Sequence, residues 1–263
     1  MKELSTEELK KIQLDIMSEI DEYCKKNKLT YYLAAGTLIG AVRHKGYIPW
    51  DDDIDIFMKR NDYDKFIKNF FSGKGFKIVS PENDKKYYLP FAKVIDTNTI
   101  LKEEVNTKFD LGVYVDVFPL DSINEKDFCK FYIKQKLLIN MLNLKNLALK
   151  KRNIFKNLIV FTGKIILLPF PKKILIAKIN KNAKKYRNNQ CDCLANLMLL
   201  MYGKGDLWKE DYFNDVVYLD FEKNKYLCPK EYDKILTKTY GDYMKFPPKE
   251  KQVTHHSFKA YFK

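Results

Sequence analysis

The sequence predicts a mixed α and β chain, of the α/β or α+β kind by pattern alone, with a basic helical insertion interrupting its core. Three observations carry this reading. Helical and strand periodicities interleave through residue 121, residues 125–200 hold almost only helical, lysine-rich patterns, and mixed structure returns after residue 201. The organisation that follows is a core segment 1–124, an insertion 125–200 and a C-terminal segment 201–263 that completes the core.

The elements can be justified in order. Ser5 and Glu8 form a capping-box pattern, which opens a helix with Leu9, Ile12, Ile16, Ile20 and Tyr23 along one apolar stripe. Residues 29–36 read as a short buried strand ending in Gly36, 37–44 as a helical turn or two, and 45–49 as a loop punctuated by Gly46 and Pro49. Residues 52–58 then alternate, with Asp53, Asp55 and Phe57 on one face and Ile54, Ile56 and Met58 on the other. A helix at 62–71 and strands at 76–80 and 89–96 follow. A further strand at 112–121 sets Val113, Val115 and Val117 against Tyr114, Asp116 and Phe118. Beyond the insertion, which is broken near 169–173, come a strand at 216–221 and a helix at 229–241.

Composition narrows the class. The chain has 263 residues, enough to bury a proper core, and 46% hydrophobic with 14% aromatic content excludes a disordered chain. Five cysteines (24, 129, 191, 193 and 228) form no disulfide framework and read as reduced thiols. Cys191 and Cys193, with His255 and His256, are a weak zinc candidate because Cys-x-Cys lacks the usual knuckle spacing. Residues 1–20 carry no signal-peptide core, and the most apolar run, 157–170, is interrupted by Lys164. A cytoplasmic protein is expected, peripheral at the inner face of the cell membrane if the basic region binds lipid.

That region stands out. The formal net charge is +14, and residues 125–190 contain 17 Lys and Arg against two acids, Glu125 and Asp127. Lysine outnumbers arginine 44 to 4, and the insertion holds few aromatics. Nucleic-acid binding would call for clustered arginine with interleaved aromatics, so an anionic membrane surface is the expected partner and nucleic acid is not.

Against this basic background, residues 51–55 place four aspartates in five positions. If a strand begins early enough, Asp51, Asp53 and Asp55 project together. Carboxylates so crowded repel one another unless cations compensate; the alternative is a solvated aspartate-rich turn. Asp116 shifts the balance. It interrupts a second apolar strand, and two acids on one strand with a third on a neighbour can hold two Mg2+ ions that polarise a phosphoryl group. Upstream, Gly36 and Thr37 at a strand-to-helix turn can present backbone N–H groups and a hydroxyl to phosphate, with Gly40 permitting close approach and Arg43 adding charge.

The segment "AAGTLIGAVRHKGYIPWDDDIDIFM" resembles the signature of the LicD family of phosphotransferases, which includes fukutin and fukutin-related protein. The resemblance is dense over 31–68, looser through "FAKVID" and "GVYVDVFPLD", and resumes in "YGDYMKFPP" and at His255 and His256. It implies an α+β, nucleotidyltransferase-like mixed sheet. Gly36 and Thr37 take the place of that superfamily's Gly-Ser turn, Asp53 and Asp55 its metal-binding pair, Asp51 an additional acid and Asp116 the third carboxylate. The gap from Gly36 to Asp53 exceeds that of the wider superfamily and matches this family's own loop. The implied reaction moves phosphocholine, or a similar phospho-alcohol, from a CDP-linked donor such as CDP-choline to a glycan hydroxyl. The implied cofactor is Mg2+ in one or two copies, with Mn2+ able to substitute, and the acceptor is expected to be lipid-linked. Arg43 and Lys93 are expected against the diphosphate, Trp50 or Tyr114 against the choline ammonium by cation–π contact, and His255 or His256 near phosphate. A nucleotidyltransferase acting on RNA or a small molecule shares the same carboxylate plan.

Overall fold

The computed structural model describes every residue except 103, 104, 106, 108, 149–153 and 255–257, with the backbone alone for 154–156. The fold is α+β. Helix α1 (Thr6–Asn27) starts at the expected capping box: the Ser5 hydroxyl accepts the Glu8 N–H, and the Glu8 carboxylate accepts the Ser5 N–H. Strand β1 (Tyr32–Leu33) leads into α2 (Ala35–His44), then β2 (Asp55–Lys59), α3 (Arg60–Asn69), β3 (Phe76–Val79), β4 (Ala92–Asp96), β5 (Thr99–Lys102) and the long β6 (Tyr114–Ile123). Three helices follow, α4 (Glu125–Asn146), α5 (Ile154–Ile166) and α6 (Lys172–Ala183). The chain ends with β7 (Cys193–Ala195), β8 (Leu207–Lys209), the hairpin β9 (Val216–Phe221) and β10 (Asn224–Pro229), α7 (Tyr232–Tyr240) and β11 (Lys259–Phe262).

The main sheet runs β1-β2-β6-β4-β3. Strand β6 makes this possible by its length. Its first part pairs in parallel with β2 and antiparallel with β4, while Asp121, Ser122 and Ile123 pair with β7, which in turn pairs with β8. Strand β11 returns to pair with β5.

Alternation sorts the two faces as expected. Ile54, Ile56, Met58, Val115 and Val117 join α1 and α3 in one buried cluster. Phe57, Phe91 and Phe118 point the other way and join residues of α4, α6, β7 and β8 in a second. A polar tie fixes that second layer: Gln135 of α4, wholly buried, donates to the carbonyls of Ile179 and Leu197, each at 3.0 Å.

Several expectations need correction. The strand expected over 29–36 is only two residues long, and Gly36 lies in the first turn of α2. The strand expected from residue 52 begins at Asp55, so Asp51–Asp53 form a loop. Strand β7, inside the helical stretch 125–200, belongs to the core sheet, and Leu197, Met198 and Leu200 are fully buried beside it. Periodicity could not announce this, because a three-residue strand is too short to display a period.

Helix α5 differs from its neighbours. Ile159 is 71% exposed, and Leu158, Phe161, Ile165 and Ile166 are exposed as well, with Leu168 and Phe170 just beyond. Among the described residues no helix is long and apolar enough to cross a membrane.

Candidate active site

Strand register builds the first part of the site. Asp55 on β2 stands level with Asp116 on β6, and Asp116 stands level with Lys93 on β4. Three adjacent strands thus carry an acid–acid–base row on the face opposite α1 and α3. The Lys93 ammonium donates to Asp116 Oδ1 at 2.5 Å and lies 3.3 Å from the centre of the Tyr114 ring. Both partners of this pair are buried.

The preceding loop supplies more acid. Ligand oxygens of Asp51, Asp52 and Asp53 lie within 4.8 Å of one another. Consecutive residues of a strand would point to opposite faces, so only an irregular backbone lets all three converge. Asp51, Asp53 and Asp55 all line the same cavity as Asp116. Burial, then the charges of Asp53, Asp116 and Asp51, pushes the Asp55 carboxyl well above its ordinary range, with Lys93 working the other way. The hard oxygen donors gathered around Asp55 fit a divalent ion such as Mg2+.

Neighbouring elements hold the loop in place. Gln13 of α1 donates to the Asp52 carbonyl at 2.8 Å, and the Tyr47 hydroxyl bonds Gln13 Oε1 at 3.0 Å. Glu222, at the β9–β10 turn, accepts the Tyr47 N–H at 3.1 Å. The Thr37 hydroxyl, 2% exposed, accepts the Asp55 N–H at 2.8 Å. Thr37 therefore anchors the start of β2, where the sequence had suggested a hydroxyl turned toward phosphate.

Helix α2 begins against the acids. Ala34 caps it with no side-chain hydrogen bond, and Ala35 and Gly36 of its first turn line the cavity. Ala35 takes φ +46, an unusual left-handed conformation for a residue with a side chain. A Cβ on Gly36 would meet Asp51 Oδ2 at 2.6 Å, so glycine lets the acid approach the helix start. Gly40 lies elsewhere: a Cβ there would meet the Gly46 carbonyl oxygen at 2.4 Å, which makes it the seat of the following loop. Arg43 also points away from the cavity, donating to the Tyr243 carbonyl at 2.6 Å and stacking on Phe246.

The cavity measures about 470 Å³. Trp50 and Tyr114 both line it, although the near face of Tyr114 is already covered by Lys93. Its far wall, which sequence reasoning missed, comes from Asn196, Tyr202, Asp206, Trp208, Phe213 and Tyr240. Only "YGDYMKFPP" signalled any of these, through Tyr240. His255 and His256 lie outside the described residues. All five cysteines are free, and Cys193 approaches Glu125 and Asp192, not Cys191, among the described potential metal ligands.

Comparison with known proteins identifies the family. Residues 28–153 match the model for "LicD/FKTN/FKRP, nucleotidyltransferase domain", which spans β1, β2, β4 and β6 and so all four candidate metal-binding acids. The chain is 32% identical over 275 aligned positions to the lipopolysaccharide cholinephosphotransferase LicD of Haemophilus influenzae, with 99% of both chains covered. An uncharacterised protein of Rickettsia typhi is 33% identical over 114 residues, covering 43% of this chain and 35% of its own.

Proposed function

The chain belongs to the LicD family of transferases, and from that premise we propose that it moves phosphocholine from CDP-choline to a hydroxyl of a cell-surface glycan or its lipid-linked precursor. The observation that carries this reading is the placement of Asp53, Asp55 and Asp116 with the first turn of α2 around one cavity of about 470 Å³. Acids and an anion-binding turn together suit a diphosphate, whereas either alone would not specify one. The choice of choline follows the activity in the name of the Haemophilus relative.

Asp53, Asp55 and Asp116, with Asp51, would hold one or two Mg2+ ions, which when bound supply Lewis-acid neutralisation of the diphosphate. The first N–H groups of α2 bind a phosphate oxygen and fix the donor's orientation. The acceptor oxygen forms a new bond to the phosphorus that carries choline, the bond from that phosphorus to the bridging oxygen breaks, and CMP leaves in line. An aspartate of the row takes the acceptor's proton. Lys93, held between Asp116 and Tyr114, keeps a positive charge beside the departing phosphate.

Titration calorimetry of CDP-choline with and without Mg2+, in parallel with CDP-glycerol and CDP-ribitol, tests the donor. The expected result is Mg2+-dependent binding that favours CDP-choline. Combining Asp53→Ala with Asp55→Ala should abolish CMP release while the circular dichroism spectrum is unchanged; an active double variant would refute the site.

We also propose that α5 and the segment after it rest on an anionic membrane. Its exposed apolar side chains are flanked by lysines close enough to interact: burial first, then Lys164 and Lys145, lowers the proton affinity of Lys172. An apolar face bordered by lysine is the composition of an interfacial helix. Co-sedimentation should be strong with vesicles containing phosphatidylglycerol and weak with pure phosphatidylcholine, and Ile159→Asp with Leu168→Asp should remove it. Equal binding by the double variant would reject this surface.

A further inference from the structure

The cavity has two chemically distinct ends, and only the acidic end is used by the mechanism above. The other end is aromatic and contains one buried acid, Asp206, which is 6% exposed. Trp208 is oriented by its indole N–H, which donates to the Thr239 hydroxyl at 3.1 Å, and its ring packs against Phe57 at 5.6 Å. Tyr202 and Tyr240 meet edge to face at 5.0 Å between ring centres.

Asp206 is held firmly but its charge is not matched. One carboxylate oxygen accepts the Tyr202 N–H at 2.6 Å. Among the described residues no Lys or Arg forms an ion pair with it. Lys136, whose charge reaches it, is turned to the Leu200 carbonyl at 2.7 Å. Burial pushes its carboxyl up to about 6, against the Tyr202 N–H and Lys136. A buried carboxylate costs several kcal/mol unless something positive joins it, roughly the order expected for a desolvated ion. Donor-rich ligands such as free amines would demand several acceptors here, and beside Asn196 and Thr239 the lining around Asp206 is aromatic and aliphatic. A quaternary ammonium makes no such demand, because it has no N–H to satisfy and is attracted by ring faces and by a nearby negative charge.

We propose that Asp206, together with Trp208, Tyr202 and Tyr240, forms the pocket for the quaternary ammonium of the transferred group, and so decides choline over neutral alcohols. This rests on the donor reading given above and names the residues that select within it. Tyr202 and Tyr240 suit a position between the two ends, since the charges of both Asp55 and Asp206 act on each. The phosphorus end of phosphocholine would then lie toward the aspartate row while its cation reaches Asp206. Trp50 and Tyr114, expected from sequence to meet the ammonium, would border the phosphate end, where Lys93 already covers Tyr114.

The test compares three ligands by calorimetry in the presence of Mg2+: CDP-choline, CDP-3,3-dimethylbutanol (the same shape with carbon in place of the charged nitrogen) and CDP alone. The unaltered protein should bind CDP-choline about tenfold or more tightly than the neutral isostere, the order expected of a desolvated cation–π site. Asp206→Asn should bring that ratio close to one while leaving CDP affinity within about twofold, the scatter expected of a contact not removed. Trp208→Phe should lower the ratio partway and guards against a folding defect in the first variant. An unchanged ratio in Asp206→Asn overturns the proposal. So does an equal loss of CDP affinity, which would mean that this end holds the cytosine amino group. Failure of all three ligands to bind the unaltered protein would instead overturn the donor reading itself.

Discussion

Replacing Thr37 by valine should separate the support of the acidic row from the row itself. Valine keeps the branched outline of threonine in a site that is 2% exposed and exchanges only the hydroxyl for a methyl. What disappears is the hydroxyl that accepts the Asp55 N–H at 2.8 Å. Leaving that N–H without its partner should cost about 1–3 kcal/mol, because a partly buried donor loses water without gaining a replacement. The same bond sets where β2 begins and hence where the Asp55 carboxylate points. Loss of such an orienting partner typically lowers metal affinity by about 10–100-fold. Thr37→Ser keeps the oxygen and loses one methyl, a change of about 0.8 kcal/mol. Urea unfolding of the three proteins without Mg2+, followed by Mg2+ titration, gives both quantities. A Thr37→Val protein as stable as the parent, and with the same Mg2+ affinity, would refute the anchoring role. A Thr37→Ser protein as impaired as the valine variant would show that packing, not the hydrogen bond, matters.

Other outcomes follow from the same geometry. Gly36→Ala places a Cβ 2.6 Å from Asp51 Oδ2, a side-chain atom that can move, so Mg2+ titration should show weakened binding with stability nearly unchanged. Arg60→Met removes the double hydrogen bond to Asp121, at 2.7 Å for each contact, and leaves a buried carboxylate unpaired; urea unfolding should show a loss of about 3–5 kcal/mol. Asp206 titrates near 6 when folded against 3.8 ordinarily, so the folded state binds more protons between those values. Its contribution to stability therefore falls as pH rises through that window, by at most about 3 kcal/mol. Unfolding midpoints of Asp206→Asn and the parent, compared at about pH 3.5 and about pH 8 on either side of that window, should show the variant gaining on the parent at the higher pH. No relative gain would contradict the buried, unpaired state of the carboxyl.

Much of the acid-bearing strand pair was readable before any coordinates. The alternation at 53–58 and 112–118 correctly separated Ile56 and Val117, which face α1 and α3, from Phe57, Asp116 and Phe118, which face the cavity. That worked because a strand with one apolar face must repeat every two residues. The strand expected from residue 52 begins only at Asp55, since three consecutive aspartates have no apolar partner to betray a break in period. Arg43 and Gly40 were read as phosphate contacts from their nearness to Gly36. They lie one and two turns further along α2 from Gly36, out of reach of its first turn, and here they secure the following loop and the C-terminal segment.

The sequence by itself determined the class of the fold, the capped first helix, the two acid-bearing strands and the family, because each rests on local periodicity or on a contiguous signature. Tertiary structure alone decided that Asp55, Asp116 and Lys93 stand level, since register is a relation between strands about 23 to 61 residues apart that no single strand encodes. It also decided that Tyr202, Asp206 and Trp208 close the cavity opposite them. Those residues show no pattern along the chain. They acquire a role only when the turn after β7 is pressed over Phe57 and Phe118 by the buried layer of α4 and α6, where an acid with no ion-pair partner among the described residues is costly and thereby informative.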